Sequence, residues 1–299
     1  MRLVVSAFAV ASLCAVPALA QSDRSINTET QVEMPDTPML GAHLARGVRA
    51  SEVRQAGSSP NLIWHSGAIM TSSLVIAIYW GASWASSPGD KITGLASFYG
   101  GVGSSPYFKT NNEYTGTNGQ VGSGVAFVTG YVDTSAAPKR APRTSAVLAE
   151  VCKMIPANQL NANGYYPVYV DTKLGGAGYC AWHSYGTCSG VPIQFAFFFN
   201  LDGDGGCDPG DPSSTHSQGL EALANVSGHE LSETVTDPRN GGWWDSSGAE
   251  NSDKCAWTFG SPSVTFQNGS QWKVQGNWSN AAYNAGTGYT LGGCIQTTP

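Results

Sequence analysis

The chain has 299 residues, only 12% of them charged, and its formal net charge is −6. A mildly acidic chain without a cluster of Lys and Arg is not expected to bind nucleic acid or an anionic membrane as its main partner. The low charged fraction, against roughly 25% in average soluble domains, and the 37 glycines and nine tryptophans are typical of a loop-rich, aromatic domain of the secreted kind.

The first twenty residues have the pattern of a secretory signal peptide. Arg2 provides a positive start, an apolar stretch covers residues 3–16, and Pro17 precedes a small-residue sequence that ends at Ala20. We therefore predict cleavage after Ala20 and a protein that is secreted or periplasmic. The apolar stretch is shorter than the ~20 residues of a membrane-spanning helix, and no later segment is long and apolar enough, so no membrane span is expected.

The rest of the chain is predicted to form a leader and one domain. Residues 21–57 are polar and without steady periodicity, which indicates a flexible leader, and residues 58–299 are long enough for one domain with a substantial core. Six cysteines remain after the signal, and an even number in an exported chain predicts three disulfides. Cys180 and Cys188 flank a predicted tight turn and are the first pair we expect; the other pairings stay open.

The local patterns predict the elements of this domain in chain order. Short apolar runs rich in β-branched and aromatic residues predict strands, and capping residues followed by helical spacing predict helices. The strands are predicted at residues 74–80, 122–132, 165–170 and 193–199, and the helices follow Asp90, begin at Thr144 and cover residues 219–236. This order predicts an α+β domain with helices packed on a mixed sheet and braced by disulfides.

The last of these helices carries the strongest functional pattern. His229 and Glu233 are four residues apart and project from the same side of a helix, where they could share a metal ion. Glu230 is placed to reach a metal-bound water without being a ligand, as the general base. The pattern resembles HExxH with glutamate in place of the second histidine, and it predicts a zinc site in a zincin-like layout.

A third ligand must come from elsewhere in the chain. The acidic segment that follows the helix offers Glu250 and Asp253, three residues apart, with Cys255 beside them to hold the segment by a disulfide. His183 is a further candidate, as a hydrogen-bond donor that stabilises the transition state. The three other histidines, His43 in the leader, His65 and His216, are not predicted to take part.

Other interpretations of these residues remain open. Glutamates on an exposed helix face are often only solvated, and the protein would then be a non-catalytic cell-envelope or matrix protein that binds glycans or partner proteins. Its tryptophans would stack on sugars or partner surfaces; they are Trp243, Trp244, Trp272 and Trp278. A third interpretation is a domain stabilised by calcium at Asp202, Asp204 and Asp208, although the loop has no bidentate glutamate at its far end.

Five ordered segments resemble the phosphate-induced protein 1 / EXORDIUM-like family. They are WHSGAIMTSSLVIAIYWGASW, YYPVYVDTKLGGAGYCAWHSYGTC, LSETVTDPRNGGWWD, the pair Glu250 and Cys255, and AAYNAGTGYTL. The resemblance covers most of residues 61–299. It implies secretion, to the apoplast in plants and outside the cytoplasm in bacteria, and in plants an association with growth and cell expansion.

The chain departs from the plant members of that family at the helix. The plant pattern keeps the acid at Glu233 but typically lacks a histidine at His229 and an acid at Glu230. The chain is therefore more similar to bacterial members with HExxExxTDP, whose helix resembles that of zincin metallopeptidases. Together these features predict a secreted, metal-dependent hydrolase that cuts peptide or amide bonds of a peptide or cell-envelope substrate. The sequence does not determine the oligomeric state.

Overall fold

The computed structural model describes residues 36–48, 60–211, 214–290 and 292–298. The predicted signal peptide and most of the predicted leader lie outside these described residues. The strands are β1 (Leu40–Leu44), β2 (Ile63–Trp64), β3 (Ser73–Trp80), β4 (Thr115–Gly116), β5 (Gly119–Gln120), β6 (Val125–Asp133), β7 (Gly164–Val170), β8 (Tyr179–Cys188), β9 (Val191–Phe198), β10 (Trp243–Trp244), β11 (Val264–Thr265), β12 (Gln271–Trp272), β13 (Asn277–Trp278) and β14 (Cys294–Ile295).

Five α-helices and three 3₁₀ turns connect the strands of the described part. The α-helices are α1 (Ser83–Ser86), α2 (Lys91–Val102), α3 (Thr144–Met154), α4 (Gln218–Thr236) and α5 (Asn280–Asn284). The 3₁₀ turns are Phe108–Glu113, Ala157–Gln159 and Asp253–Cys255. The long elements other than β8 lie where the patterns predict them, within a few residues at each end.

One mixed sheet of six strands forms the centre of the fold, in the order β1-β8-β9-β7-β3-β6. The strands β9, β7, β3 and β6 are parallel, while β8 and β1 are antiparallel to their neighbours. The inner strands β7 and β9 are apolar and buried because the sheet is covered by helices. The predicted α+β class with a mixed sheet is confirmed.

The strand β1 corrects the prediction of a flexible leader. Residues 36–48 belong to the compact body of the chain, and Leu40–Leu44 forms an edge strand that pairs with β8. The polar composition of residues 21–57 does not predict this short strand, because the strand is stabilised by pairing with residues far away in sequence. The prediction is therefore wrong for residues 36–48.

The three predicted disulfides are present, but the expected pair is wrong. The bonds join Cys152 to Cys188, Cys180 to Cys207, and Cys255 to Cys294. Cys180 and Cys188 lie near opposite ends of the continuous strand β8, so roughly 26 Å of extended backbone separates them. The turn that we expected between them lies instead at Ser189-Gly190, where both φ angles are positive and a two-residue hairpin leads into β9.

The long helix α4 is fixed at its start and along its length. The Ser217 hydroxyl accepts a hydrogen bond from the Leu220 amide, and Asp90 in turn accepts from the Ser217 amide and hydroxyl. Further along, the Ser227 hydroxyl bonds Tyr169 Oη on β7 at 2.7 Å. These contacts hold the helix that carries the HExxE residues at a fixed position against the sheet.

We expect Ser217→Ala to lower the free energy of unfolding by about 1 kcal/mol, because the first turn of α4 loses its side-chain cap. Urea denaturation followed by circular dichroism measures the change. Ser87→Ala, on an exposed loop residue, is the control and should stay within about 0.5 kcal/mol of the wild type. Equal stability of both variants would show that this cap does not stabilise α4.

Candidate metal centre

The helix α4 is buried on every side. All of its residues from Gly219 to Thr236 are buried, and the side chains of His229, Glu230 and Glu233 have no exposed surface. The interpretation of these residues as a solvated helix face is therefore wrong. Burying carboxyl groups carries a desolvation cost that a structure tolerates only with compensating partners, so the surroundings of these residues decide what they can do.

A tight turn after α4 brings the downstream acids back to the helix. Asp237 accepts hydrogen bonds from the amides of Gly241 and Gly242 at 2.8 and 2.7 Å. A Cβ atom at Gly242 would lie 2.0 Å from the Thr236 carbonyl oxygen, so only glycine fits there. The returning segment is then held by the Lys254–Asp245 ion pair, 2.6 Å long.

His229, Glu233 and Asp253 converge at the end of this segment. His229 Nε2 lies 3.1 Å from Glu233 Oε2 and 3.5 Å from Asp253 Oδ1. The Asp253 amide donates to Glu233 Oε1 at 2.8 Å and so orients that carboxylate. One atom from each of the three residues lies within 4.8 Å of the others, which makes them a candidate set of metal ligands.

His183 on β8 faces the same carboxylates from the other side. Its Nε2 is 2.7 Å from Glu250 Oε2 and 3.8 Å from Glu233 Oε2. His183, Glu230 and Glu233 form the second converging group within the described residues. Glu233 is common to both groups, and Glu250 contacts the predicted cluster through His183. All six predicted site residues are thus brought to one place in the fold.

Negative charge in this cluster is not balanced by any lysine or arginine ion pair among the described residues. Several potential metal-binding atoms of the cluster also have no hydrogen-bond partner among the described residues. They are His229 Nε2, Glu233 Oε2 and both carboxylate oxygens of Glu230. His229 Nε2 and Glu233 Oε2 are close, but they are not in hydrogen-bonding geometry. Convergent acids whose buried oxygens lack hydrogen-bond partners favour a bound cation.

The pKa values of the cluster follow from burial and mutual repulsion. Burial, and then Asp253, raise the pKa of Glu233 to about 7, against the attraction of His229. Burial and Glu233 raise the pKa of Glu250 well above its usual value, and the same two causes outweigh His229 to raise the pKa of Glu230. Without a metal ion, burial and mutual repulsion therefore disfavour the charged forms of these carboxyl groups.

The two histidines of the cluster have opposite shifts. Burial, and then His229, lower the pKa of His183 to about 3, so its imidazole is neutral. For His229, burial disfavours the charged form, but the carboxylates of Glu233 and Asp253 outweigh burial and raise the pKa well above its usual value. A neutral His183 has the protonation state that a metal ligand requires.

Two residues that the sequence interpretation left out, His43 and Gln275, complete the surroundings of His229. His43 is fully buried on β1, 4.2 Å from His229 between ring centroids, and its Nε2 bonds Gln275 Oε1 at 2.7 Å. Gln275 Nε2 lies 2.9 Å from His229 Nδ1 and donates to the Ser252 carbonyl. Neither residue has a motif around it that could have revealed this role.

The Gln275 amide lies against Nδ1 of His229, the ring nitrogen that does not face Glu233. In the observed orientation its NH₂ group faces Nδ1, where it would donate to a neutral His229 ring that carries its proton on Nε2, opposite Glu233. A metal bound at Nε2 requires the proton on Nδ1 and an acceptor beside it. Binding through His229 Nε2 therefore requires the Gln275 amide to rotate so that Oε1 accepts from Nδ1.

The tryptophans that we expected to be exposed are not arranged as a sugar-binding face. Trp272 and Trp278 are only 1% and 5% exposed, and Trp243 and Trp244 are half-buried. Trp272 packs edge-on against Phe98 in the core. Trp272 and Trp278 therefore contribute their apolar area to the core and not to a binding surface.

The acidic loop before α4 uses its carboxylates locally. Asp202 pairs with Lys91 at 3.0 Å, while Asp204 and Asp208 accept from the amides of Gly206 and Gly210. These three residues do not form one of the converging groups found among the described residues. A calcium site here remains a prediction that no observation supports.

Two histidines lie away from the cluster's contacts. His65 is stacked on Trp244, with ring centroids 3.2 Å apart, and His216 is stacked on Trp272 at 4.3 Å. In addition, none of the helices in the described ranges combines the length and the apolar character required to cross a bilayer.

Comparison with known proteins returns no relative: no family model matches the chain, and neither a curated protein nor a solved structure is significantly similar to it. The resemblance to the phosphate-induced protein 1 / EXORDIUM-like family stays a prediction, as does the zincin-like layout. The function must therefore be inferred from the geometry of the site.

Proposed function

We propose that the protein is a zinc-dependent hydrolase that cuts peptide or similar amide bonds outside the cytoplasm. The observation that carries the proposal is the convergence of buried His229 and Glu233 with partly exposed Asp253, without a balancing lysine or arginine in the described chain. Three disulfides support an oxidising, extracytoplasmic location.

The donor set fits zinc better than calcium. One imidazole nitrogen and two carboxylate oxygens are the kinds of ligand that catalytic zinc sites use, with a further position left for water or substrate. Calcium prefers six to eight oxygen ligands, whereas histidine nitrogens are central here. In this assignment Asp253 is the third ligand, and Glu250 orients His183 through the 2.7 Å contact.

Each remaining residue then has a distinct role. A bound zinc ion would supply a polarised water of low pKa as the nucleophile. Glu230, buried and with both oxygens unbonded, would accept the proton of that water at its carboxylate. The charge of a cation would also lower the raised pKa of Glu230 and so ionise it. His183, neutral and beside the carboxylates, would turn its single N–H from Glu250 towards the developing oxyanion.

The test is the metal content of the purified protein. We expect the wild type to bind one zinc per chain and His229→Ala to bind none, because two carboxylates alone hold zinc weakly. His216→Ala is the matched control: it removes a histidine stacked on Trp272 and should keep the zinc. Elemental analysis after dialysis against zinc gives the stoichiometry, and circular dichroism checks that the variants are folded.

Full zinc retention in a folded His229→Ala variant would contradict the ligand assignment. A wild type that binds no zinc after dialysis would contradict the proposed function as a whole.

A further inference from the structure

We infer that the edge of β8 is a peptide-binding edge, and that residues 36–48 occupy it as a built-in pseudosubstrate that keeps the cluster closed. The pseudosubstrate role rests on the proposed function, because it assigns the substrate class and the inhibition of the proposed hydrolase site. The inferred substrate is an extended peptide with a small residue opposite the cluster and a ring-bearing side chain two residues later.

The first observation is that β1 lies where a peptide strand would bind. It pairs antiparallel with β8, which has β9 on its other side, so β1 adds the outermost strand at this edge of the sheet. Addition of an extended strand to a sheet edge is a common mode of peptide recognition, because backbone hydrogen bonds are available there regardless of sequence.

The second observation is the fit of Gly41 against the cluster. A Cβ atom at Gly41 would lie 1.8 Å from Glu233 Oε2, 2.5 Å from Glu250 Oε2 and 2.7 Å from His183 Nε2. The register between β1 and β8 also shifts between Leu40 and His43, and Gly41 has a φ of +43°. The backbone thus bulges against the candidate ligands at a position where only glycine fits.

The third observation is the pocket that His43 fills two residues later. Its ring lies edge-on to His229 and to Trp257, with centroids 4.2 and 4.6 Å apart, and Nε2 bonds Gln275. A pocket with aromatic walls and one amide at its end suits a ring with a polar atom. This pocket gives the preference for a ring-bearing side chain at that substrate position.

The segment is anchored at both ends by contacts outside the cluster. At its start the Thr144 hydroxyl donates to the Thr37 carbonyl, and the Ser184 hydroxyl donates to the Pro38 carbonyl. At its end Trp257 Nε1 donates to the Leu44 carbonyl at 2.9 Å. Because the anchors and the cluster are separate, the segment can be released by changes that leave the candidate ligands intact.

Gly41→Leu in the full chain tests the inference. The leucine side chain would collide with Glu233 and should displace β1 from β8. A fluorescein-labelled synthetic peptide with the sequence of residues 36–48, which retains glycine at this position, should then bind the vacated edge. Fluorescence anisotropy without zinc should show at least tenfold tighter binding to Gly41→Leu than to the wild type.

Two further variants make the experiment decisive. Gly47→Ala is the matched control, since Gly47 also has a positive φ, +84°, but a Cβ atom there would meet nothing within 4 Å; it should behave like the wild type. The double variant Thr144→Val/Ser184→Ala removes two of the contacts that hold the start of the segment and changes none of the candidate ligands, and it should bind the labelled peptide more tightly than the wild type does.

Inhibition of hydrolysis by β1 is measured separately. With zinc, Gly41→Leu and the double variant should cut a fluorogenic peptide containing the small-x-ring pattern at least tenfold faster than the wild type, and the unlabelled 36–48 peptide should inhibit them. Peptide binding without any hydrolysis would support the binding edge and contradict the hydrolase function. Folded variants that fail to bind the peptide, although amide exchange shows β8 to be uncovered, would overturn the inference itself.

Discussion

Glu230→Gln is expected to lower kcat on a peptide substrate by about 10²- to 10⁴-fold while the protein keeps one zinc per chain. Glutamine preserves the size and shape of the side chain, but it cannot accept the proton of the attacking water. Because the proposed ligands are His229, Glu233 and Asp253, and Glu230 is assigned as the base, Glu230→Gln should leave metal binding unchanged.

The matched control is Glu221→Gln on the same helix. Glu221 is also buried, but it lies nine residues before Glu230, about 14 Å along the helix at 1.5 Å per residue. Its activity should equal that of the wild type. Steady-state kinetics on one fluorogenic peptide and zinc analysis of the same samples give both quantities. A Glu230→Gln variant with undiminished kcat would remove this residue as the general base.

The metal-free protein is expected to lose stability as the pH rises above about 6.5. In the folded state the pKa values of Glu230, Glu233 and Glu250 are raised, so the folded protein keeps protons that the unfolded chain has already released. The raised pKa of His229 acts in the same direction above pH 6.5. Each proton that only the folded state retains lowers the free energy of unfolding by up to about 1.4 kcal/mol per pH unit.

The histidines with lowered pKa values do not offset this loss. His183, with a pKa of about 3, and His43 contribute stability that grows as the pH rises towards 6.5 and is complete above it. The loss of stability above pH 6.5 is therefore set by the acids and by His229. Urea denaturation at several pH values in the presence of a chelator measures it.

Zinc should oppose this loss, because metal binding favours deprotonated ligands and grows stronger with pH. At a free zinc concentration of about 1,000 times Kd, the free energy of unfolding should rise by about 4 kcal/mol. Glu150 on α3 provides the control, because burial raises its pKa to about 7 although it is not one of the candidate metal ligands. Glu150→Gln should change the pH profile of the metal-free protein and leave the zinc effect intact; a zinc effect absent at every pH would contradict the metal site.

The element types could be predicted because they depend on local patterns. The apolar run at residues 74–80 and the helical spacing at 219–236 match β3 and α4 closely. The strand β8 was missed because its cysteines and glycine imitate a turn, and β1 was missed because five residues of mixed character form a strand only when an existing edge pairs with them.

The site was partly predictable for the same reason. The i, i+4 spacing places His229 beside Glu233 on any helix, and Asp253 was one of two acids expected to complete the set. His43 and Gln275 could not be found, because they reach His229 from 186 and 46 residues away in sequence, and neither spacing nor composition encodes such contacts.

By itself the sequence determined the helix that carries His229, Glu230 and Glu233, the even set of cysteines and the α+β class, since each depends on residues close together in the chain or on composition. Only the tertiary structure decided the disulfide pairing, the burial of the acids, and the position of Gly41 over them. These features depend on which distant segments share an interior, and burial there turns a common helical pattern into a cluster whose charge favours a cation.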